Sequence, residues 1–208
     1  MPPSASADRL WVLASNNAGK LAEFQALLSD ASLELRAQSD FQVTAAAETG
    51  MTFVENALLK ARHAAAVTGL PAIADDSGLC VDALAGAPGL HSARFAGVGA
   101  TDAQNVTKLL QALAHVPETQ RSAHFYCVIV ALRSALDPAP LIAIGRWEGS
   151  ISHAEKGQNG FGYDPVFWVS DLNRTAAELA PDEKNRLSHR GKALQSFRAQ
   201  WQITLDKT

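Results

Sequence analysis

The chain has 208 residues, 47% of them hydrophobic and 19% charged, with a formal net charge of −3 at pH 7. That length suits one domain or two lobes sharing a core, and the apolar fraction permits ordinary globular burial, which excludes a disordered or low-complexity protein. The slightly acidic balance speaks against a broad nucleic-acid surface, which needs a basic field, and no apolar run approaches the length that crosses a bilayer.

Cys80 and Cys127 are the only two cysteines, each beside apolar residues and in no zinc-type spacing, so they read as buried free thiols in a reducing compartment. Residues 1–8 carry no basic stretch leading into an apolar one, so a soluble cytoplasmic protein is expected, with residues 1–9 flexible.

In chain order, residues 10–14 read as a short apolar strand. Residues 20–28 follow as a helix, with Leu21, Phe24, Leu27 and Leu28 at helical spacing. Residues 33–37 alternate as a second strand, and a loop rich in Ala, Glu, Thr and Gly comes next. Thr52 with Glu55 three residues later forms a capping box, opening a helix that Gly69 and Pro71 stop. The run 70–78 is an apolar strand that ends in Asp75 and Asp76 and breaks at Gly78.

Residues 85–100 carry four glycines and a proline, which marks a long loop. Thr101 and Gln104 cap a helix through Leu113. Residues 124–132 and 141–151 are β-rich and joined by Asp137-Pro138-Ala139-Pro140, so they are expected to pair antiparallel. Residues 165–169 form another strand after a glycine-rich loop. Two tail helices follow, one from about Thr175 and one through Leu194, Phe197 and Trp201. Crossover and hairpin connections together predict an α/β protein with a mixed sheet.

Several segments carry groups suited to chemistry. Side chains of a strand alternate faces, so Asp75 and Asp76 point to opposite sides, one into a cleft and one in support; an Asx turn explains the pair equally well in isolation. Ser15-Asn16-Asn17-Ala18-Gly19-Lys20 lies between the first strand and first helix, where free amides and the positive helix end attract anions. It lacks the spacing of a Walker loop. A helix capped by Asn17, with Lys20 in solvent, is the structural alternative.

Glu48 offers a second carboxylate. Magnesium prefers one or two carboxylates plus water and substrate phosphate oxygens, so Glu48 and Asp76 make an adequate protein share of its shell. Glu55 is already accounted for by the cap. Gly157-Gln158-Asn159-Gly160-Phe161-Gly162-Tyr163-Asp164-Pro165 flanks two aromatics and an acid with three glycines, which suits stacking on a planar base or a turn with a core aromatic. Lys184 and Ser188-His189-Arg190-Gly191 group donors that read carbonyl oxygens on a base edge, or else form a helix junction capped by Ser188.

With these segments in this order, the chain resembles the inosine triphosphate pyrophosphatase family, which hydrolyses inosine and xanthosine triphosphates. The likeness runs from about Leu10 to Leu194. It rests on Thr52-Phe53-Val54-Glu55-Asn56-Ala57, Ala74-Asp75-Asp76-Ser77-Gly78-Leu79, the 160–165 segment and Ser188-His189-Arg190-Gly191. The resemblance implies an elongated α/β fold, a mixed sheet flanked by helices in two lobes with the active-site cleft between them, and a homodimer.

The same resemblance implies that Ser15, Asn16, Asn17, Ala18, Gly19 and Lys20 hold the triphosphate. Glu48 and Asp76 would serve Mg2+, with Asp76 also the general base. Ser77, Phe161, Gly162, Tyr163, Asp164, Lys184, His189 and Arg190 would contact a purine nucleoside triphosphate such as ITP, dITP or XTP. One departure is that Asn16 stands where many members have glycine, although asparagine also tolerates left-handed backbone. Two rival readings stay open, a pyrophosphatase for a modified pyrimidine triphosphate and a nucleotide sensor without hydrolysis. A nucleic-acid-binding module is disfavoured by charge.

Overall fold

The computed structural model describes residues 10–28 and 33–205. The expectation for residues 1–9 lies outside the described residues. The strands are β1 (Leu10–Leu13), β2 (Glu34–Ala37), β3 (Ala72–Val81), β4 (Ser122–Leu132), β5 (Leu141–Ile151), β6 (Phe167–Val169) and β7 (Arg174–Thr175). They form a mixed sheet in the order β2-β1-β3-β4-β5-β6-β7. The first three are linked by helical crossovers and run parallel, whereas β5, β6 and β7 pair antiparallel. The helices are α1 (Ala18–Leu27), α2 (Phe53–Thr68), α3 (Asp102–Ala112), α4 (Pro181–Leu187) and α5 (His189–Leu205).

The chain groups into two compact units, one from Met1–Asp76, Val128–Ile144 and Ala193–Thr208, the other from Ser77–Cys127 and Gly145–Lys192. The 122–151 hairpin is therefore no lobe of its own, since its turn half belongs to the first unit and its two ends to the second. In the first unit, Val12, Leu13, Phe24, Leu35, Ile73 and Phe197 are buried, and Trp201 sets its ring edge-on to Trp11 at 4.7 Å. In the second, Phe125 lies 4.6 Å from Phe167 within a core that includes Leu79, Leu109, Trp147, Tyr163 and Val166.

Arg121 is the largest fully buried side chain of this second core. Its guanidinium donates to the carbonyls of Leu113, Val116, Ile151 and Ser152, which satisfies the C-terminal end of α3 and the end of β5 at once.

Three local expectations need correction. Strand β3 does not break at Gly78 but runs on to Val81. No helix starts at Thr175: Thr175 and Glu178 do form a capping box, yet it closes a single 3-10 turn over Ala176–Glu178, and the helix begins at Pro181. The backbone of Thr175 is already paired with β6 and its hydroxyl donates to the Lys156 carbonyl, so the sheet competes with the helix for this residue. Finally, both cysteines are free, but only Cys127 is buried, and Cys80 is half-buried.

Candidate active site

Parallel strands β1 and β3 place their C-terminal ends on the same sheet edge, where α/β proteins bind ligands. The loop after β1 and the Asp75-Asp76 pair of β3 are thus brought together although 55 residues separate Lys20 from Asp75. Asn17 caps α1 by accepting from the Lys20 amide at 3.0 Å, and Ser15 Oγ accepts from the Asn17 amide at 3.2 Å. Lys20 is not in solvent. Its ammonium meets both oxygens of the buried Asp75 carboxylate, at 2.9 and 2.8 Å.

Asp76 faces the other way and has a different lysine. Lys60 Nζ donates to Asp76 Oδ1 at 2.7 Å and reaches Glu48 Oε1 at 3.3 Å. Strand alternation explains the division, since consecutive side chains leave opposite faces. Burial pushes the Asp76 carboxyl above its usual range, opposed by Lys60 and reinforced by the Glu48 and Asp75 charges. Burial also works against the Lys60 ammonium, but Asp76, Asp75 and Glu48 outweigh it and raise its pKa. The directions agree physically, because one cation surrounded by three anions gains while each anion still feels the others.

Lys60 is the site residue that motif reading missed. Its signal is the helix register: Asn56, Lys60 and Ala64 follow at four-residue spacing, and Asn56 and Ala64 are buried, so a lysine occupies the inward stripe of α2. Asn56 also accepts from the Gly50 amide at 2.8 Å, which holds the 48–50 loop against α2 and brings Glu48 to Lys60. Glu55 does serve the helix start, although its carboxylate accepts from the Met51 amide at 2.7 Å and the Thr52 hydroxyl at 3.1 Å.

The second unit holds the aromatic cluster. Phe161 is 57% exposed, with Lys184 Nζ 4.7 Å and the Arg190 guanidinium carbon 5.7 Å from its ring centre. Asp164, buried below, pairs with Lys184 and accepts from the Phe161 amide at 2.8 Å. Gly160 has φ of +79°, and a Cβ there would lie 2.1 Å from Asp164 Oδ2, so only glycine fits.

Tyr163 is spent in the core, where its hydroxyl donates to the Ser92 carbonyl at 2.8 Å; burial and the Asp102 charge push its phenol upward. His189 stacks on Phe125 at 4.7 Å and 12°. Ser188 is the single residue between α4 and α5, and its hydroxyl accepts from the Gly191 amide at 3.1 Å, as a cap does. Ser77 is half-buried on β3 directly after Asp76.

The sequence profile of the Ham1 family matches residues 11–200. The chain belongs to the Ham1 family. A protein of Vibrio cholerae named dITP/XTP pyrophosphatase is 59% identical over 186 residues, covering 89% of this chain and 93% of its own. A Shigella flexneri protein of the same name is 59% identical over 88% of this chain and 93% of its own. Among solved structures, a HAM1 protein from Coxiella burnetii superposes with a TM-score of 0.89 at 53% identity, covering 96% of this chain and 99% of that one. The Staphylococcus aureus Ham1 protein gives a TM-score of 0.86 at 39% identity, over 94% and 99%. A Ham1 chain with this sheet order is an α/β protein with a mixed seven-stranded sheet. Among the described residues, no helix is long and apolar enough to cross a membrane.

Proposed function

We propose that the protein is a cytoplasmic, homodimeric hydrolase that cleaves deaminated purine nucleoside triphosphates, dITP and XTP foremost, to the monophosphate and pyrophosphate. The observation that carries the chemistry is the convergence of Asp76 and Glu48 on one ammonium. Two carboxylates around a single positive charge are the donor set that a magnesium ion takes from protein when water and phosphate oxygens complete its shell. Held by Glu48 and Asp76, magnesium would supply charge compensation on the phosphate oxygens.

The remaining steps belong to the chain's own residues. Asp76, with its pKa raised, is a better proton acceptor than an ordinary carboxylate and takes the proton of the attacking water. The oxygen of that water bonds to the α-phosphorus as the bond to the bridging α–β oxygen breaks, and pyrophosphate leaves with the electron pair. Lys20 and Lys60 offset the growing negative charge, and the amides at the start of α1 add a positive helix end.

At the base end, stacking on Phe161 and donation from Lys184, His189 and Arg190 favour a 6-oxo group. The same donors meet an amino group in adenine and leave it unpaired, the costlier mismatch. The relatives named dITP/XTP pyrophosphatase support this substrate class. A panel of dITP, XTP, dATP, dUTP and dTTP with magnesium, analysed for pyrophosphate against phosphate, tests it. Pyrophosphate from dITP and XTP well above the others is expected; preference for a pyrimidine, or nucleotide binding without any hydrolysis, overturns it.

A further inference from the structure

Phe161 is 57% exposed and sits between Gly160 and Gly162, both with positive φ (79° and 61°), so core packing does not hold its backbone. Hydrogen bonds must do so instead. Two lie within the loop: the Phe161 amide donates to Asp164 Oδ2 at 2.8 Å, and the Asp164 amide donates to the Phe161 carbonyl at 3.3 Å. Another comes from far away in sequence: Asp102 Oδ2 accepts from the Gly162 amide at 2.7 Å across 60 residues.

Asp102 is the first residue of α3, and α3 is itself well anchored. Thr101 and Gln104 complete a reciprocal capping box. Asn105 accepts from the Ala96 amide at 2.7 Å and donates to the Ala93 carbonyl at 3.2 Å, and Lys108 Nζ donates to the Phe95 carbonyl at 2.6 Å. The 89–101 segment on this anchor also receives Tyr163 through the Ser92 carbonyl, and Ser92 Oγ accepts from the Leu79 amide at 2.9 Å. Asp102 therefore ties a glycine-flanked loop to a rigid element. An acid in a first helical turn is ordinarily explained by the helix dipole, but this one is aimed at an amide beside an exposed aromatic.

We propose that Asp102 is a positioning residue for base recognition: through the Gly162 amide it fixes the Phe161 ring on which the purine stacks. The proposal rests on the function argued above. A loop left free to sample other backbone angles must be ordered when nucleotide binds, and that cost falls on binding rather than on the phosphoryl step.

The test compares Asp102→Ala, Asp102→Asn and Thr101→Ala in the full chain. Asp102→Ala is expected to raise KM for dITP about three- to tenfold with kcat within about twofold, and to speed hydrogen exchange at the Phe161 and Gly162 amides about tenfold or more. Asp102→Asn keeps an acceptor oxygen and should restore most of both. Thr101→Ala removes the helix cap without touching Gly162, so it should lower Tm by about 2–4 °C and leave KM unchanged. The proposal fails if Asp102→Ala leaves KM or the exchange rates at the wild-type value, or if Thr101→Ala moves KM as far. A wild-type protein that releases no pyrophosphate from dITP or XTP overturns the function instead, while hydrogen exchange in the nucleotide-free protein still decides whether Asp102 holds the loop.

Discussion

Lys60 donates to Asp76 at 2.7 Å while Lys20, on another helix, holds Asp75 through both oxygens. Two adjacent acids of one strand are thus paired with two cations, and Asp76 shares its cation with a second carboxylate, Glu48. Under the function proposed above Asp76 is the reactive member, while Asp75 pairs with Lys20.

Replacing Asp76 with Asn removes the proton acceptor but keeps size and hydrogen bonding. Turnover of dITP should fall by about 10²–10⁴, the usual contribution of a positioned acid-base group, while nucleotide affinity stays within a few-fold. Pyrophosphate release and equilibrium binding measure the two separately, and normal turnover in the variant would show that another group accepts the proton.

The pH profile follows from the same cluster. Asp76 acts when ionised, so kcat/KM should fall as pH drops through its raised pKa, at a pH above the ordinary carboxyl value of 3.8. Lys60 is the neighbour that opposes this rise. Lys60→Met should accordingly move the acidic limb to still higher pH, on top of any loss of rate. An unmoved limb would mean that Asp76 is not the group being titrated.

Two glycines of the aromatic loop should respond differently to alanine. At Gly160 the added carbon meets Asp164 at 2.1 Å and Lys184 at 3.1 Å, whereas at Gly162 it meets nothing within 4 Å. Gly162→Ala carries only the left-handed backbone penalty of about 1–2 kcal/mol. Gly160→Ala must also displace the buried Asp164 pair, so its loss of stability and its rise in KM should be the larger. Equal effects in urea unfolding and kinetics would contradict the crowding seen at Gly160.

Arg121 should prove a stability residue without a role in chemistry. Arg121→Met strands four carbonyl acceptors and is expected to cost about 3 kcal/mol or more. Arg121→Lys should recover little, since an ammonium cannot present the planar fork. Urea midpoints decide it, and a lysine variant as stable as the wild type would refute the requirement for the fork.

Much of what depends on near neighbours was legible in the sequence, apart from the end of β3 and the start of α4. The helix starts at Thr52 and Thr101 are three-residue hydrogen-bond patterns, and both caps are present. The division of Asp75 from Asp76 follows from the two-residue period of a strand. The segments 52–57, 74–79, 160–165 and 188–191 carried the family resemblance, and the Ham1 match spans all four. The start of α4 at Pro181 was not read, although a proline at a first helical position is the signal that marks it.

Only the tertiary structure decided which groups meet. Lys60 reaches Asp76 because α2 and β3 pack in one register, Lys20 reaches Asp75 because β1 and β3 run parallel, and Asp102 reaches Gly162 across 60 residues. Thr175 shows the opposite outcome: the helix expected from about this residue does not start there, and its capping box with Glu178 closes only one 3-10 turn because its backbone belongs to the sheet. The physical reason is common to all four. Local patterns need only a few adjacent dihedrals, whereas a paired charge or a tethered loop exists only after distant segments have been packed side by side, and no spacing along the chain encodes that.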